Sequence, residues 1–429
     1  MYYLCTRFHK KRMFNQLKLP IMSHPQTLQI PFPEFMLSIP TIQDSSQKLQ
    51  LEYEKSQFSC NSHKKIVPLQ AKSQKNMLKG LSLFSSAGIG EAYLSDIGVD
   101  IICANEIMKK RADLHSILYP NCKTICGSIT DKDIFNEIIE TSQGIDFLLA
   151  SPPCQGMSIA GKNRNQNTMI SDDRNFLINY VFDAIEILQP KYVMIENVSQ
   201  LLKIKLPYNG ELLKIVDILK DKFGMHYKIE SKIVDAADYG VPQTRIRAII
   251  KMYLKTTEWK WADHVRKKVT VKDAIGHLPS LEAGETSSIK WHFARPHTQE
   301  NILWMRHTPT GCSAFKNEIY YPKKADGSKI RGYESSYRRI KWDEPAPTIT
   351  IRNDCIASQR NVHPGRQNED GTYSDARVLT PLELMLLNSL PDNWNIPDNT
   401  PEILIRQVIG ESIPPLMIKK LVNEIPDLK

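Results

Sequence analysis

Short apolar runs alternate with amphipathic stretches between residues 80 and 254. Each run is short and continuous enough to be a buried strand: GLSLF, VDIICANE, KTICGSI, IDFLLAS and KYVMIEN. The stretches between them repeat apolar residues at helical spacing: KKRADLHSILY, DIFNEIIETS and NFLINYVFDAIEIL, the last with Leu177, Val181, Ile185 and Leu188 on one face. Strands that alternate with helices predict a doubly wound, mostly parallel α/β sheet.

The pattern changes on both sides of this region. GELLKIVDILKDKFG predicts one more helix with Gly224 as its C-cap, and AIIKMYL predicts a later strand. More than a hundred residues rich in Gly, Pro, His and Trp follow, which predicts a second domain before a final helix, IPPLMIKKLVNEI. Residues 1–78 contain six prolines and little periodicity, so we expect an extension there.

Composition describes an ordinary globular chain of 429 residues, with 41% hydrophobic and 24% charged residues. No apolar run approaches the roughly 18 residues of a membrane span, and the amino terminus lacks the apolar core of a signal peptide, so we expect a cytoplasmic protein. The eight cysteines are scattered and predict no disulfide framework. Cys122 and Cys126 lack a second Cys or His pair nearby, so no metal site is expected.

The net charge of +9 is unevenly distributed. Residues 1–78 carry +7, residues 252–376 carry +5, and the remainder carries −3. The middle segment also holds five of the six tryptophans, at 259, 261, 291, 304 and 342. Basic and aromatic residues together are typical of a nucleic-acid face, but a solvated surface over a small core would have the same composition.

The stretch IDFLLASPPCQGMS predicts a reactive thiol. Pro152 and Pro153 cannot donate ladder hydrogen bonds, so the strand must end before Cys154. In open α/β sheets, ligands bind outside the carboxyl ends of the strands. This position favours a nucleophile over a packing residue.

Two further features predict a nucleoside site at the same edge. The first strand runs into FSSAGIGE, where Gly88 and Gly90 let the backbone approach a ligand, and the second strand ends in Glu106, which is suited to ribose hydroxyls. The loop has only two glycines and lacks the full GxGxxG pattern, so a small adenosine cofactor is favoured over a dinucleotide.

The next strands add charged groups. KYVMIEN places Glu196 at the end of its strand. The thiol of Cys154 and the carboxylate of Glu196 would then lie on neighbouring strand ends, as a catalytic pair does. In VPQTRIRA, the side chains of Gln243, Arg245 and Arg247 alternate and so share one side of an extended segment, suited to phosphate or a base edge. A salt-bridged surface strand would also explain this spacing.

Taken in order, these motifs resemble those of the cytosine-5 DNA methyltransferases, over about residues 80 to 420. FSSAGIGE, SPPCQGMS, IENV, QTRIR, RVLTPLELMLLNSLPDNW and VIGESIPP are similar to six of that family's motifs. Three positions depart from the usual pattern. Ser128 stands where the family often has Asp, Glu411 where it usually has Asn, and Asn388 lies in a segment that usually reads Leu-Gln-x-Phe-Pro.

The resemblance implies a Rossmann-like domain that binds S-adenosylmethionine, over residues 79–253 completed by 401–429, and a target-recognition domain over 254–400. Cys154 is implied to attack C6 of a flipped cytosine, while Glu196 holds N3 and the exocyclic amine and Arg247, with Arg245, steadies O2 and nearby phosphates. Cofactor binding is implied for Phe84, Ser85, Ala87, Gly88, Gly90, Glu106, Ser128, Ile129, Pro153, Glu411 and Ser412. DNA contact is implied for Gln155, Ser158, Asn197 and Gln243.

The resemblance also implies a context, and other functions remain open at this point. A bacterial modification enzyme, monomeric on double-stranded DNA and paired with a restriction endonuclease, is expected. An RNA-directed cytosine-5 methyltransferase would share the motifs, although the Cys-Phe-Thr stretch of the tRNA-modifying branch is missing. A silent DNA-binding regulator would not need Cys154 and Glu196, and an amino-methylating enzyme usually has an aromatic residue at position 154. A dinucleotide oxidoreductase would leave both residues without a role.

Overall fold

A seven-stranded sheet forms the centre of the protein, seen in a computed structural model that describes residues 77–153 and 176–429. The strand order is β3-β2-β1-β4-β5-β9-β8, and all pairs up to β4–β5 are parallel, while β9 runs antiparallel to both β5 and β8. The predicted doubly wound, mostly parallel sheet is confirmed. The strands are β1 Leu78–Leu83, β2 Val99–Glu106, β3 Lys123–Cys126, β4 Phe147–Ala150, β5 Tyr192–Asn197, β6 Lys205–Tyr208, β7 Glu211–Lys214, β8 Tyr227–Asp235 and β9 Ile246–Leu254.

Helices cover both faces of the sheet and continue beyond it. Within the described residues they are α1 Lys109–Leu118, α2 Lys132–Thr141, α3 Leu177–Leu188, α4 Ile215–Phe223, α5 Val271–Ile275, α6 Gln299–Arg306, α7 Pro381–Leu387, α8 Glu402–Glu411 and α9 Pro415–Val422. The prediction of one helix over 210–224 is wrong in its first part. Residues Glu211–Lys214 pair with Lys205–Tyr208 in a hairpin, and the helix starts at Ile215 and ends at the predicted Gly224 C-cap.

Two apolar cores lie on opposite faces of the sheet. The α3-side core packs Val181, Phe182 and Ile185 against strand residues such as Leu148 and Val193. The α9-side core packs Met417, Ile418, Leu421 and Val422 against Phe147, Leu149 and Met194. Helix α9 therefore covers this face of the sheet. Pro415 occupies the first turn of α9, as predicted.

A third core joins the first βα connection to the later part of the chain. Ala87, Ile89 and Leu114 pack with residues of α5, α7 and α8, including Val271, Leu384 and Val408. A fourth, smaller core contains Trp304, Met305, Ile356, Val362 and Val378. The loop after β1 thus rests on residues that follow it by roughly 300 positions.

A buried ionic network supports the region around the small core. The fully buried Arg377 donates to both carboxylate oxygens of Glu383, at 2.8 and 2.9 Å, and to Asp375 at 2.9 Å. Burial alone would raise the pKa of Glu383, but the charges of Arg377 and His363 outweigh it and lower that pKa to about 2. Buried charges of this kind are retained only with such complete pairing.

The five tryptophans of the middle segment are all buried or partly buried. Trp259 is 1% exposed and packs in the α9-side core, although it follows the predicted domain boundary at 253. Trp304 belongs to the small core, and Trp291 and Trp342 pack against the third core. The buried ammonium of Lys251 lies over the Trp261 ring, 4.2 Å from the ring centre. Of the two interpretations of this composition, the burial of Trp259 and Trp304 favours a core for these two side chains, while Trp261, Trp291 and Trp342 remain partly exposed.

Some predictions fall outside the described residues. The extension at residues 1–76 and the segment 154–175, which contains Cys154, Gln155 and Ser158, are among them. In the described ranges, no helix is both long and apolar enough to cross a membrane.

Candidate active site

Three strand ends meet at the point where the chain leads into Cys154. Beyond β4, the Ser151 hydroxyl donates to the carbonyl of Phe84, which follows β1, at 3.2 Å. The Asn197 amide, at the end of β5, donates to the carbonyl of Pro152 at 2.8 Å. The side chains of Ser151, just after β4, and Asn197, at the end of β5, therefore fix the start of the segment that leads from Pro152 to Cys154, here called the Pro-Cys loop.

Asn197 has a position different from the one predicted for it. It is 4% exposed, and its amide oxygen also accepts from the main-chain N–H of Val198 at 2.9 Å. Both ends of the side chain are thus engaged within the protein. This arrangement does not support the predicted contact with DNA and instead makes Asn197 a positioning residue for the Pro-Cys loop.

Glu196 and Arg247 form the buried ion pair at this edge. The Nε of Arg247 lies 2.9 Å from Oε1 of Glu196, and their side chains are 14% and 8% exposed. The pair spans adjacent antiparallel strands, because β9 lies directly beside β5. Burial raises the pKa of the Glu196 carboxyl, against the opposing charges of Arg247 and Arg245. Its carboxyl therefore holds a proton more readily than an exposed glutamate does.

Arg245 and Gln243 point into the protein interior. The guanidinium of Arg245 donates to the carbonyls of Ile349, Gly410 and Glu411 at 2.8, 3.3 and 3.1 Å. Gln243 is 0% exposed, donates to Asn388 at 3.1 Å and accepts from Ile349 N–H. The burial of Gln243 does not support its predicted contact with DNA. Arg245 instead joins β9 to two distant segments, and only Arg247 of the two arginines reaches Glu196.

The loop after β1 has an unusual backbone. Phe84, Ser86 and Gly88 all have positive φ angles, of 60°, 52° and 72°. For a non-glycine residue such angles cost on the order of 1 kcal/mol and occur mostly at functional sites. Gly88 has a second constraint, since a Cβ there would lie 2.3 Å from the Tyr119 ring, whose hydroxyl donates to the Gly88 carbonyl at 2.7 Å.

The other predicted residues of this loop support its conformation. Ser85 donates from its hydroxyl to the Asn105 carbonyl at 3.3 Å, and Ala87 is fully buried. Gly90 lies against Ile413, since a Cβ there would be 3.8 Å from that side chain. Glu91 and His115 form a buried contact at 3.1 Å beneath the loop.

Glu106 presents its carboxylate at the end of β2, as predicted. Oε2 accepts from the main-chain N–H of Ser86 at 3.0 Å and Oε1 from that of Met108 at 2.7 Å. A carboxylate has about four acceptor positions, so two remain for ribose hydroxyls. The next side chain, Ile107, is 65% exposed. An exposed large apolar group beside a ribose acceptor suits the face of an adenine, and the sequence pattern did not single it out.

The remaining residues predicted to bind the cofactor differ in how far they are exposed and in whether their side chains already have hydrogen-bond partners. The Ser128 hydroxyl lies 2.8 Å from that of Thr130, and the Ile129 side chain is 3% exposed in the α3-side core, which leaves its main chain for a ligand. Pro153 is partly exposed beyond β4. Ser412 is 8% exposed, and its hydroxyl accepts from Asn388 at 2.9 Å and donates to the Ile409 carbonyl.

Two of the residues that depart from the family's usual motifs, Glu411 and Asn388, have partners within this chain. Glu411 forms an ion pair with Arg111 of α1 at 2.7 Å, and burial raises the pKa of its carboxyl against that opposing charge. Asn388 connects Gln243 to Ser412. Neither Arg111 nor the role of Asn388 is predictable from the local sequence, because these contacts join residues 300, 145 and 24 positions apart.

Comparison with known proteins identifies the family. The family model for C-5 cytosine-specific DNA methylase matches residues 78–427. The chain belongs to that family. Type II methyltransferase M1.HgaI of Avibacterium volantium is 59% identical over 353 residues, which cover 82% of this chain and 99% of that protein. Type II methyltransferase M1.HphI of Haemophilus parahaemolyticus is 27% identical and covers 80% and 86% of the two chains.

The fold agrees with solved structures of methyltransferases. Entamoeba histolytica methyltransferase EhMeth has a TM-score of 0.56 and 15% identity, and covers 82% of this chain and 99% of that one. As a member of the C-5 cytosine-specific DNA methylase family, the protein transfers a methyl group from S-adenosylmethionine to C5 of cytosine in DNA.

The residues around the β1 loop fit such a cofactor. The Ser86 hydroxyl oxygen is buried without a hydrogen-bond partner among the described residues, as is Nε of Arg111. Buried polar atoms of this kind normally have partners. Together with Glu106 and the exposed Ile107, they provide the polar and apolar groups that an adenosine with an amino-acid tail requires.

Proposed function

We propose that Cys154, Glu196 and Arg247 carry the reaction on a cytosine flipped out of double-stranded DNA. The observation that carries this proposal is the meeting of the β1, β4 and β5 ends, with Pro152 tied to Asn197 and Glu196 paired to Arg247. A target base must leave the stack to reach such a recessed edge.

The proposed reaction follows from the residue chemistry. The Cys154 thiolate adds to C6, and Glu196 hydrogen-bonds N3 and the exocyclic amine, which supports the charge that develops in the ring. When bound, S-adenosylmethionine supplies an electrophilic methyl group. After C5 takes the methyl, loss of the C5 proton restores the double bond and expels the Cys154 thiolate. Arg247 holds the Glu196 carboxyl in place and lies at the position proposed to contact cytosine O2.

The raised pKa of Glu196 supports its part in this reaction. A carboxyl with a raised pKa keeps its proton to higher pH than an ordinary glutamate and is then the better donor to N3. Arg245 is proposed as a positioning residue, because its guanidinium donates to three main-chain carbonyls.

We propose that residues 79–253 with 401–429 form the catalytic domain and that the recognition domain lies within 254–400. Trp259 packs in the α9-side core, which supports a start for the recognition domain beyond residue 259. We further propose that the enzyme acts as a monomer on DNA and protects it from a cognate endonuclease. Its 59% identity to a type II methyltransferase supports this pairing.

Bisulfite sequencing of DNA from cells that express the protein tests the function. We expect unconverted cytosines in one short sequence context, because each base-specific site is read by direct contacts. Cells expressing the Cys154→Ala variant should show none in that context. Complete conversion with a well-expressed wild-type protein would contradict the proposed reaction.

A separate prediction concerns the cofactor. Glu106→Ala should weaken S-adenosylmethionine binding by tenfold or more, about the loss expected from one or two hydrogen bonds to a charged acceptor. Titration calorimetry measures this, with circular dichroism as a check on the fold. Glu137→Ala, which removes a half-exposed carboxylate on α2, is the matched control and should bind normally. Equal affinity in the two variants would remove Glu106 from the cofactor site.

A further inference from the structure

A basic arm projects from the second half of the chain between Lys316 and Arg338. Its two sides meet in an isolated antiparallel bridge between Lys323 and Lys329. A tight turn closes it, with Lys324 N–H donating to the Ser328 carbonyl at 2.9 Å and Gly327 at φ 82°. The Asp326 carboxylate accepts from the Ser328 hydroxyl and N–H within this turn. The tip is therefore an ordered two-stranded ribbon.

Lys316 pairs with Glu334 at 3.3 Å near the base of the arm, but the cations nearer its tip have no such partner among the described residues. Every residue from 323 to 329 is exposed, and so is Arg331. Among the described residues, Lys323, Lys324 and Arg331 form no ion pair, while the Lys329 ammonium lies 4.3 Å over the Tyr321 ring. Large apolar side chains are also exposed here, with Ile319 at 73% and Tyr333 at 70%. Unpaired cations beside exposed aromatic groups form the surface that the tryptophans do not provide.

The base of the arm is fixed to the small core. Ser313 donates to the Ser336 carbonyl at 2.8 Å, and Tyr337 stacks edge-on against Trp304 and Phe315. Gly332 packs against Phe315, since a Cβ there would lie 2.7 Å from that ring. A rigid base allows the ribbon to present its cations in a defined direction.

The same base connects to the active site through contacting segments. Arg360 N–H donates to the Ser335 carbonyl at 2.8 Å, beside the loop that contains Asn353. Asn353 donates to the Arg406 carbonyl at 2.9 Å in α8. The end of α8 then contacts Arg245, two residues from the Arg247 that pairs with Glu196. Hydrogen bonds therefore connect the base of the arm to the segment 353–360, that segment to α8, and the end of α8 to Arg245.

We infer that the basic arm enters the major groove of the target DNA and reads its sequence. A two-stranded ribbon fits the roughly 12 Å width of that groove. The lysines, as compact charges, contact phosphates, and Arg331, as a planar fork, contacts a base edge. This inference rests on the proposed function for the substrate and goes beyond it by naming the residues that determine specificity.

The test compares DNA binding by two triple variants and one single variant. K323A/K324A/K329A should weaken binding to target and scrambled duplexes alike, and should reduce the slope of log affinity against log salt by about 0.9 for each lost phosphate contact. R331A should lower the ratio of target to scrambled affinity by about tenfold. The matched control, K220A/K255A/K420A, removes three exposed lysines of the catalytic domain. Of these, Lys255 follows β9 at the end of the strands opposite to the end that carries Glu196.

Calorimetric titration with S-adenosylmethionine checks that each variant is folded. Fluorescence anisotropy then gives the affinity of each variant for duplexes that contain the sequence identified by bisulfite sequencing. An unchanged salt slope in K323A/K324A/K329A together with unchanged discrimination in R331A would overturn the inference. A control that loses as much slope as the arm variant would also overturn it. Failure of the proposed reaction has a different result, because wild-type protein would then bind DNA without protecting any cytosine from bisulfite.

Discussion

The wild-type enzyme should be trapped covalently on duplex DNA that contains 5-fluorocytosine at the target position, and Cys154→Ser should form no adduct. Fluorine at C5 permits thiol addition and methyl transfer but blocks the final proton loss, so Cys154 cannot leave. A serine hydroxyl is scarcely ionised near neutral pH and is a far weaker nucleophile than a thiolate. A band that resists denaturation on an electrophoresis gel measures the adduct.

The controls for this experiment separate the remaining functions. Trapping should require S-adenosylmethionine, and Cys126→Ser, which changes an exposed cysteine at the end of β3, should trap as wild type does. A silent regulator would form no adduct, and an RNA-directed enzyme would trap fluorinated RNA instead. A wild-type protein that methylates DNA but never forms the adduct would contradict the covalent mechanism.

Glu196→Gln should lower kcat by about 10²- to 10⁴-fold, the usual range for loss of a general acid or base, while S-adenosylmethionine affinity stays close to wild type. The substitution keeps the shape of the side chain but removes its acidic proton and its ion pair with Arg247. Single-turnover methylation assays measure the rate. Glu258→Gln, a change at a side chain that is 68% exposed, is the control and should remain active.

The pH profile adds a second test of Glu196. Because burial raises the pKa of this carboxyl, its proton is retained at higher pH than usual and is lost as the pH rises further. If Glu196 acts as the acid, the wild-type rate should fall on that alkaline side. Glu196→Gln cannot lose this proton, so the alkaline fall should disappear from its profile. A variant that keeps the same fall would place the titrating group elsewhere.

The sequence predicted the parallel part of the sheet and the positions of Glu106 and Glu196, because buried parallel strands are continuous apolar runs. It missed β8, whose residues YKIESKIVD alternate poorly and are mostly half-buried or exposed. That strand lies at the edge of the sheet, where burial imposes little pattern. The hairpin of β6 and β7 was likewise hidden, since its second strand continues directly into α4.

The site was predicted less completely than the sheet. Side-chain alternation placed Gln243, Arg245 and Arg247 on one side, but alternation does not indicate whether that side faces solvent or interior. Tryptophan content could not decide between a DNA face and a small core for a similar reason, since composition does not record which atoms are buried. The Arg111–Glu411 pair joins residues 300 positions apart, and no local pattern predicts a contact at that separation.

The position of α9 has a consequence for synthesis on the ribosome. The face of the sheet formed by Phe147, Leu149 and Met194 is covered by Met417 and Leu421, which leave the ribosome long after β4 and β5. At about 5 to 20 residues per second, translation of the intervening chain takes roughly 10 to 60 s. During that time α9 is not available to cover this apolar face. The core on this side of the sheet therefore forms only after α9 has been made, however early the strands themselves are made.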